Sequence, residues 1–223
     1  MKKTISILLA CVAVLALTAG CGQKIYTASD RDAVSINSEI MANPDYTVTD
    51  DSVSKQVKFA YPATMTVVEP DKETLQNQLF CVVDNETGSR ITLLAMGIAS
   101  GGNAADEANA MLGEAAFQKV IDVAKEEFTA LYGEEEDFSF GSVPVSKPEK
   151  YGNCLGVNFS YSVQAKGETY TYYHVVINGS APDKTTEKGT ITYQDNVVYV
   201  FIFEAAGGDM DVFGGAEKYM VVR

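Results

Sequence analysis

The spacing of apolar residues changes along the chain, and each change marks a predicted element. Residues 5–17 form an apolar run that only Ser6 interrupts. From residue 57 onward, short apolar stretches alternate with polar positions, a pattern typical of β-strands. Residues 103–133 instead place apolar side chains three and four positions apart, as in a helix. The pattern therefore predicts an N-terminal leader followed by a domain of strands with one long helix.

The first half of the domain reads as strands and then a helix. Strands are predicted over residues 57–68, 79–84 and 90–98, with Pro62 at a strand end and the loop 85–88 joining antiparallel neighbours. Asn103 is the predicted helix N-cap, and Gly133 the stop. Gly113 is expected to kink the helix or to let it pack closely. The helix stripe consists of Phe117, Val120, Ile121, Ala124, Phe128 and Leu131.

The second half returns to alternation and predicts an antiparallel meander. Residues 138–145 form one predicted strand, residues 155–165 and 170–178 a hairpin, and residues 190–193 and 197–204 a second hairpin around residues 194–196. The run from Val197 to Phe203 is almost wholly apolar, as in a central strand covered on both faces. We therefore predict an α+β fold, a three-layer α/β/α sandwich with helices on both faces of the sheet. A short terminal helix between Phe213 and Val222 would supply the second helical layer.

The leader has the features of a secretory signal. Lys2 and Lys3 precede the apolar run, which is shorter than the about 20 residues of a membrane-spanning helix. The segment Leu17-Thr18-Ala19-Gly20-Cys21 resembles the lipobox of bacterial lipoproteins. This resemblance implies cleavage between Gly20 and Cys21 and a lipid on Cys21, which holds the protein on the extracytoplasmic face of the cell membrane. The alternative is an ordinary secretory signal with an incidental cysteine.

Residues 1–20 are thus predicted to be the signal peptide, and residues 53–223 the folded domain. Residues 21–52 are expected to be the lipidated N-terminus and a tether. Ser29 is a candidate cap for a short helix that Asn43-Pro44 would end, and an extended linker is the alternative.

Charge narrows the set of partners. Cleavage would remove Lys2 and Lys3 from the 17 basic residues and none of the 30 acidic ones, which changes the net charge from −13 to −15. Such a surface repels nucleic acid. Cys81 and Cys154 each lie in a predicted strand. They could form a disulfide or remain two buried thiols, and their spacing in the sequence does not give the distance between them.

Residues with catalytic chemistry are sparse. His174 is the only histidine, and no GxSxG, GxGxxG or Cys-His cluster accompanies it. The acidic run 134–137 and the pair Asp209 and Asp211 lack the ligand series of a calcium loop. The tyrosines are expected to pack in the core rather than form a ligand platform; they are Tyr161, Tyr170, Tyr172, Tyr173 and Tyr193. We expect no catalytic residues, no metal site and no cofactor.

From about Val57 to Val222 the layout resembles the PsbP-like family, which is named for an extrinsic subunit of photosystem II. The resemblance rests on an opening strand that ends in Phe59-Ala60-Tyr61-Pro62-Ala63-Thr64-Met65, a strand pair, one long helix and a closing meander. The chain lacks the tryptophan that many members have near Met65. The resemblance implies a non-catalytic binding or accessory role and transfers no site residue.

Three functions remain open. The leading hypothesis is a membrane-anchored lipoprotein that binds a protein partner. The first alternative is a small-ligand-binding lipoprotein associated with transport, for which the sequence shows no second lobe. An extracytoplasmic hydrolase is the third, although the sequence offers no catalytic pair for it.

Overall fold

The computed structural model describes residues 25–28, 35–54, 56–70, 77–97, 110–133, 139–142, 145–152, 154–165, 167–185 and 191–222. The helices within these ranges are α1 (Ser38–Met41) and α2 (Glu114–Tyr132). The strands are β1 (Ile25–Ala28), β2 (Tyr46–Val48), β3 (Val57–Pro62), β4 (Thr66–Val68), β5 (Gln78–Val83), β6 (Arg90–Gly97), β7 (Ser139–Ser142), β8 (Glu149–Tyr151), β9 (Cys154–Ala165), β10 (Glu168–Thr185), β11 (Ile191–Ala206) and β12 (Met220–Val222).

The main sheet is antiparallel, and β11 lies inside it. Its strand order is β4-β5-β6-β11-β10-β9-β7, while β1 also pairs with β11 and β8 with β9. Tyr199 and Phe201 pack on one face of β11, and Val198 and Val200 pack on the other. All four are buried. The predicted central strand with two covered faces is therefore confirmed, because β11 buries both sets of alternating side chains.

Helix α2 covers one face of the main sheet. Phe117 packs on Phe159 of β9 with ring centroids 4.9 Å apart, and Phe128 meets the Tyr172 ring of β10 edge-on at 6.0 Å. The predicted stripe is buried at Phe117, Val120, Ile121, Ala124 and Phe128. This face of the core consists of residues that recur at helical spacing on α2 and at alternate positions on the strands.

The described part of the predicted helix is divided at Gly113. The predicted cap, Asn103, lies outside the described residues. Gly113 has an extended backbone (φ −88°, ψ 152°), and it precedes the first residue of α2. Gly133 ends α2 as predicted, with φ 81° and its N–H donating to the Thr129 carbonyl. Gly113 thus separates α2 from the helical residues 110 and 111 rather than kinking one continuous helix.

On the opposite face, the described residues form a small second sheet, and they show no α-helical layer there. This sheet has the order β12-β3-β2, and 3-10 turns over Met210–Phe213 and Ala216–Lys218 lie beside it. Phe59 of β3 meets the Phe201 ring at 5.2 Å, and Phe213 meets the Phe203 ring at 5.4 Å. Gly214 and Gly215 both adopt positive φ and end the first turn, so the expected terminal helix is reduced to the 3-10 turn Ala216–Lys218, which β12 follows.

One predicted hairpin is wrong. Residues 194–196 were expected to form a turn, but β11 runs through them without a break. Gln194 and Asp195 pair with Ala181 and Ser180 of β10, which continues well beyond the predicted end at Asn178. Register shifts after Gly179 and Pro182 let the two long strands stay paired despite residues that disfavour a regular ladder.

Part of the predicted tether is built into the sheets. Tyr46–Val48 forms β2 and pairs with β3, and Ile25–Ala28 pairs with β11. The short helix is capped by the Asn37 side chain, which accepts from the Glu39 N–H. Ser29, Gly20 and Cys21 lie outside the described residues, and the domain boundary at residue 53 stays a prediction. Neither helix in the described ranges has the length and apolar character needed to cross a bilayer.

Candidate ligand-binding cavity

An open cavity of about 510 Å³ lies at one end of the main sheet. Two hairpins and the end of β11 meet there, the hairpins joining β5 to β6 and β9 to β10. We call this the polar cavity, after the charged side chains of Arg90, Glu168 and Glu204 in its wall. Its lining includes Thr87, Arg90, Glu168, Tyr170, Glu204 and Ala206.

The hairpin between β5 and β6 holds Arg90 at the cavity wall. The Asp84 carboxylate accepts from the N–H groups of Glu86 and Thr87, at 2.7 and 3.0 Å, and so closes the turn. Ser89 Oγ accepts from the Ala206 N–H at 3.0 Å. This bond ties the hairpin to β11 and fixes the start of β6, where Arg90 stands.

The hairpin between β9 and β10 supplies the opposite wall. Gly167 turns the chain with φ 77°, between the two strands of the hairpin predicted from residues 155–165 and 170–178. The Tyr170 hydroxyl donates to the Glu168 carboxylate, and the Gly207 N–H donates to the Thr169 carbonyl at 2.9 Å. Both walls are therefore held by hydrogen bonds within the fold.

Arg90 and Glu204 stand opposite each other on adjacent strands. They are Cα partners in the pairing of β6 with β11, so their side chains emerge on the same face. Arg90 Nε is 3.9 Å from Glu204 Oε1, an ion-pair distance too long for a hydrogen bond. Arg90 Nε and Glu204 Oε2 are both buried and have no hydrogen-bond partner. The pair therefore offers one donor and one acceptor side by side.

Burial decides the charge state of Glu204. Its side chain is 2% exposed, whereas that of Arg90 is 26% exposed. Burial raises the pKa of Glu204 to about 7, and the attraction of Arg90 offsets only part of this rise. A carboxyl in this state either accepts or donates a hydrogen bond near neutral pH.

His174 lies in the core rather than in the cavity. It projects from β10 toward the α2 side of the sheet and stacks on Phe159, with Tyr161 at 5.5 Å. It is buried, and Nε2 has no hydrogen-bond partner. Its environment is that of an apolar ring, in line with the expectation that His174 is structural.

The two cysteines face opposite sides of the main sheet. Cys81 Sγ lies 3.7 Å from Thr92 Oγ1, whereas Cys154 packs with the cluster on the other face. Both are free thiols. Strands β5 and β9 are separated by β6, β11 and β10, which places their Cα atoms far beyond the about 7 Å limit for a disulfide. The open question from the sequence is thus decided against a bridge.

The other candidate residues do not gather into a site. Tyr161, Tyr170 and Tyr172 are buried in the core, as expected. Asp209 accepts from the Asp211 N–H and caps a 3-10 turn. The acidic run 134–137 lies outside the described residues. Within the described part of the chain, no three His, Cys, Asp or Glu side chains converge as metal ligands would.

Sequence reasoning did not single out Arg90 or Glu204. Both were assigned to predicted strands, one at the start of its strand and the other at the end of the apolar run. The available signal was a carboxyl directly after Phe203, at a position whose alternation points it into the protein. Its meeting with Arg90 depends on the register between β6 and β11, which spacing along the chain does not contain.

Comparison with known proteins gives structural likenesses only. No family model matches the chain, and no curated protein matches it in sequence. Among solved structures, cyanobacterial PsbP (CyanoP) from Synechocystis is 12% identical with a TM-score of 0.43, covering 92% of this chain and 95% of its own.

Two further structures are similar at the same level. LpqN of Mycobacterium tuberculosis, described as involved in cell envelope biogenesis, is 10% identical with a TM-score of 0.41 and coverages of 89% and 90%. A Bacteroides thetaiotaomicron protein is 14% identical with a TM-score of 0.38, and the match covers 80% of this chain but 48% of that protein.

Proposed function

We propose that this chain is a lipid-anchored, extracytoplasmic binding protein without a catalytic role, and that it binds a small ligand in the polar cavity. The observation that carries the proposal is Glu204 Oε2, a buried carboxyl oxygen with no partner at the cavity wall. A buried polar atom without a partner costs free energy, about 1–3 kcal/mol. A ligand that donates to this oxygen would remove that cost.

The anchor part of the proposal rests on the sequence. Cys21 follows the small residues of a segment that resembles a lipobox, and the mature chain would begin with it. Two or more acyl chains hold a folded domain on a bilayer where one would be marginal. The domain would then present its cavity outside the cell.

A second cavity, of about 680 Å³, is a weaker candidate for the ligand. It lies beside α1 and β2, with Asp51 and Lys58 in its lining. Lys58 Nζ is 2.6 Å from Asp51 Oδ1, and Asp50 accepts from the Ser52 N–H at 2.8 Å. Its charged groups therefore already have partners within the protein.

The described surface does not favour the protein-partner hypothesis over a small ligand. Large apolar side chains are exposed at Met41, Val67 and Leu155, which lie on α1, β4 and β9. These elements are not neighbours in either sheet. A protein interface has an apolar centre, and these separate residues do not form one.

A non-catalytic role fits the contents of the cavity. His174 is buried under α2 and does not line the polar cavity. Glu168 lines it, but its carboxylate already accepts from the Tyr170 hydroxyl. A hydrolase needs a nucleophile or a water held by a base, and the Arg90–Glu204 pair instead offers donor and acceptor groups for binding.

Blocking the cavity tests the proposal. Ala206 lines it and is partly buried, so Ala206→Phe would fill the space beside Glu204. Ala115→Phe places the same ring on the exposed side of α2 as a matched control. Ligand-observed NMR with a library of small polar fragments should show binding to the wild-type full chain in detergent and to Ala115→Phe, but not to Ala206→Phe. Binding that survives in Ala206→Phe, or its absence from the wild type, would contradict the proposal.

A further inference from the structure

The charges around Glu204 define which ligands the polar cavity would accept. Arg90 and Glu204 carry opposite charges 3.9 Å apart, so the pair is neutral as a unit when both are ionised. The other acidic group in the lining, Glu168, is exposed to water and is bound to the Tyr170 hydroxyl. Screening by water weakens the electrostatic effect of the Glu168 charge on a ligand bound at Glu204.

We propose that the polar cavity takes an uncharged small molecule that carries a hydrogen-bond donor next to an acceptor, such as an amide or a vicinal diol. This inference rests on the proposed function of the cavity and adds its ligand class. The donor contacts the carboxyl group of Glu204 and the acceptor contacts the guanidinium group of Arg90, which both line the cavity. Within these groups, Glu204 Oε2 and Arg90 Nε have no hydrogen-bond partner, and the two side chains leave adjacent strands at directly opposed positions.

A charged ligand fits this pair poorly. A cation placed on Glu204 would lie beside the guanidinium of Arg90, and an anion placed on Arg90 would lie beside the carboxyl of Glu204. Either would also lose hydration on entering, and only one member of the pair would compensate it. An uncharged donor and acceptor satisfy both groups without adding charge.

The remaining lining agrees with a polar, uncharged ligand. Thr87 and Thr169 are uncharged, although the Thr87 hydroxyl already donates to Ser89 Oγ, and Gly88, Gly167 and Gly207 expose backbone where a side chain would otherwise cover it. The volume of about 510 Å³ is in the range of small-molecule sites.

The proposal is tested with four small probes on the full chain in detergent: acetamide, ethylene glycol, acetate and methylammonium. Measurements by NMR titration at about pH 8 keep Glu204 mainly ionised. We expect acetamide or ethylene glycol to bind about tenfold more tightly than either ion, because only they satisfy both members of the pair. The ranking of the two uncharged probes distinguishes an amide ligand from a diol.

Removing one charge at a time should reverse the preference. Glu204→Gln leaves Arg90 unbalanced and should make acetate the preferred probe. Arg90→Gln leaves Glu204 unbalanced and should make methylammonium preferred. Glu39→Gln on α1 and Lys119→Gln on α2 remove the same charges from exposed positions outside the cavity and should leave the ranking unchanged. Circular dichroism establishes that each variant is folded, and Arg90→Met, which also removes the charge, replaces Arg90→Gln if that variant unfolds.

The outcomes separate this inference from the proposed function. Tightest binding of acetate or methylammonium to the wild type would overturn the uncharged ligand class while the cavity remains a binding site. An unchanged ranking in folded Glu204→Gln and Arg90→Gln would overturn the role of the pair. Failure of all four probes, together with a fragment screen that Ala206→Phe does not alter, would overturn the site itself.

Discussion

The imidazole of His174 stacks on the ring of Phe159, with centroids 4.7 Å apart and planes at 20°. The two residues are Cα partners on β10 and β9, under helix α2. Burial lowers the pKa of His174 to about 3, so the ring is neutral at ordinary pH. The only histidine of the chain thus serves as an aromatic core residue, which explains why it lies apart from the polar cavity.

Replacing His174 with Phe should reduce the acid sensitivity of the fold. Between pH 6.5, its ordinary pKa, and about pH 3, the unfolded chain binds a proton that the folded chain does not. The contribution of His174 to the free energy of unfolding is therefore fully present above pH 6.5. It falls as the pH is lowered, by about 1.4 kcal/mol per pH unit. Urea unfolding of His174→Phe at about pH 4 and 8 should show a smaller loss toward acid than the wild type does. An equal loss in both proteins would refute this account of His174.

Replacing Glu204 with Gln should change the free energy of unfolding at neutral to alkaline pH rather than in acid. The folded chain keeps a proton between pH 4.5, the ordinary pKa of the group, and about pH 7, whereas the unfolded chain releases it. Stability therefore falls as the pH rises through this window and is constant above it. Glu204→Gln should be more stable than the wild type at about pH 8, by up to about 3 kcal/mol, with little difference at about pH 4.

The control for Glu204→Gln is the exposed Glu39→Gln on α1. Urea unfolding of Glu39→Gln should follow the wild-type pH profile. If Glu204→Gln is instead destabilised at about pH 8, the ion pair with Arg90 contributes more than burial of Glu204 costs.

The sequence predicted the elements whose apolar residues form a continuous run or recur at a regular spacing. The run from Val197 to Phe203 indicated a covered central strand, and the α2 stripe indicated the helix on one face. The hairpin at residues 194–196 was wrong because Gln194 and Asp195 have turn-like chemistry, yet long-range pairing with β10 overrides it. Apolar residues such as Phe213 and Met220 fit a helix or a strand equally well. Contacts across the sheet placed them in a 3-10 turn and in β12.

The candidate site was harder to predict from the sequence than the fold was. Residue types alone drew attention to His174, Asp209 and the acidic run, because these types commonly carry chemistry. Arg90 and Glu204 are ordinary strand-end charges in the sequence, and they become a pair only through the register of β6 with β11. Loop and register geometry therefore determined the site, while local pattern determined most of the elements.

Gly156 permits a close contact near the start of β9. A Cβ atom there would lie 2.8 Å from Ile177 Cγ1, from Tyr151 Cδ2 and from the Val176 carbonyl oxygen. Gly156→Ala should therefore lower the free energy of unfolding by about 1–3 kcal/mol, because the surrounding strands must shift.

The matched control is Gly141→Ala on the edge strand β7. Its Cβ would meet only Ser162 Oγ, at 3.1 Å, and this side chain can rotate away. Thermal unfolding of the two variants should show a clear loss for Gly156→Ala and a small change for Gly141→Ala. Equal effects would mean that replacement of any strand glycine, rather than the contact with Tyr151, determines the result.

The last prediction concerns the anchor. If Cys21 receives a lipid, metabolic labelling with an alkyne fatty acid should label the wild type and Cys11→Ala but not Cys21→Ala, because Cys11 lies in the predicted signal peptide. Mass spectrometry of the mature wild type should find an N-terminus at Cys21 with an added diacylglyceryl mass. A label retained in Cys21→Ala, or a mature chain that begins elsewhere with an unmodified thiol, would favour an ordinary secretory signal. The cavity would then belong to a secreted domain, and its ligand chemistry would be unchanged, because Arg90 and Glu204 pair within the fold without any contribution from the anchor.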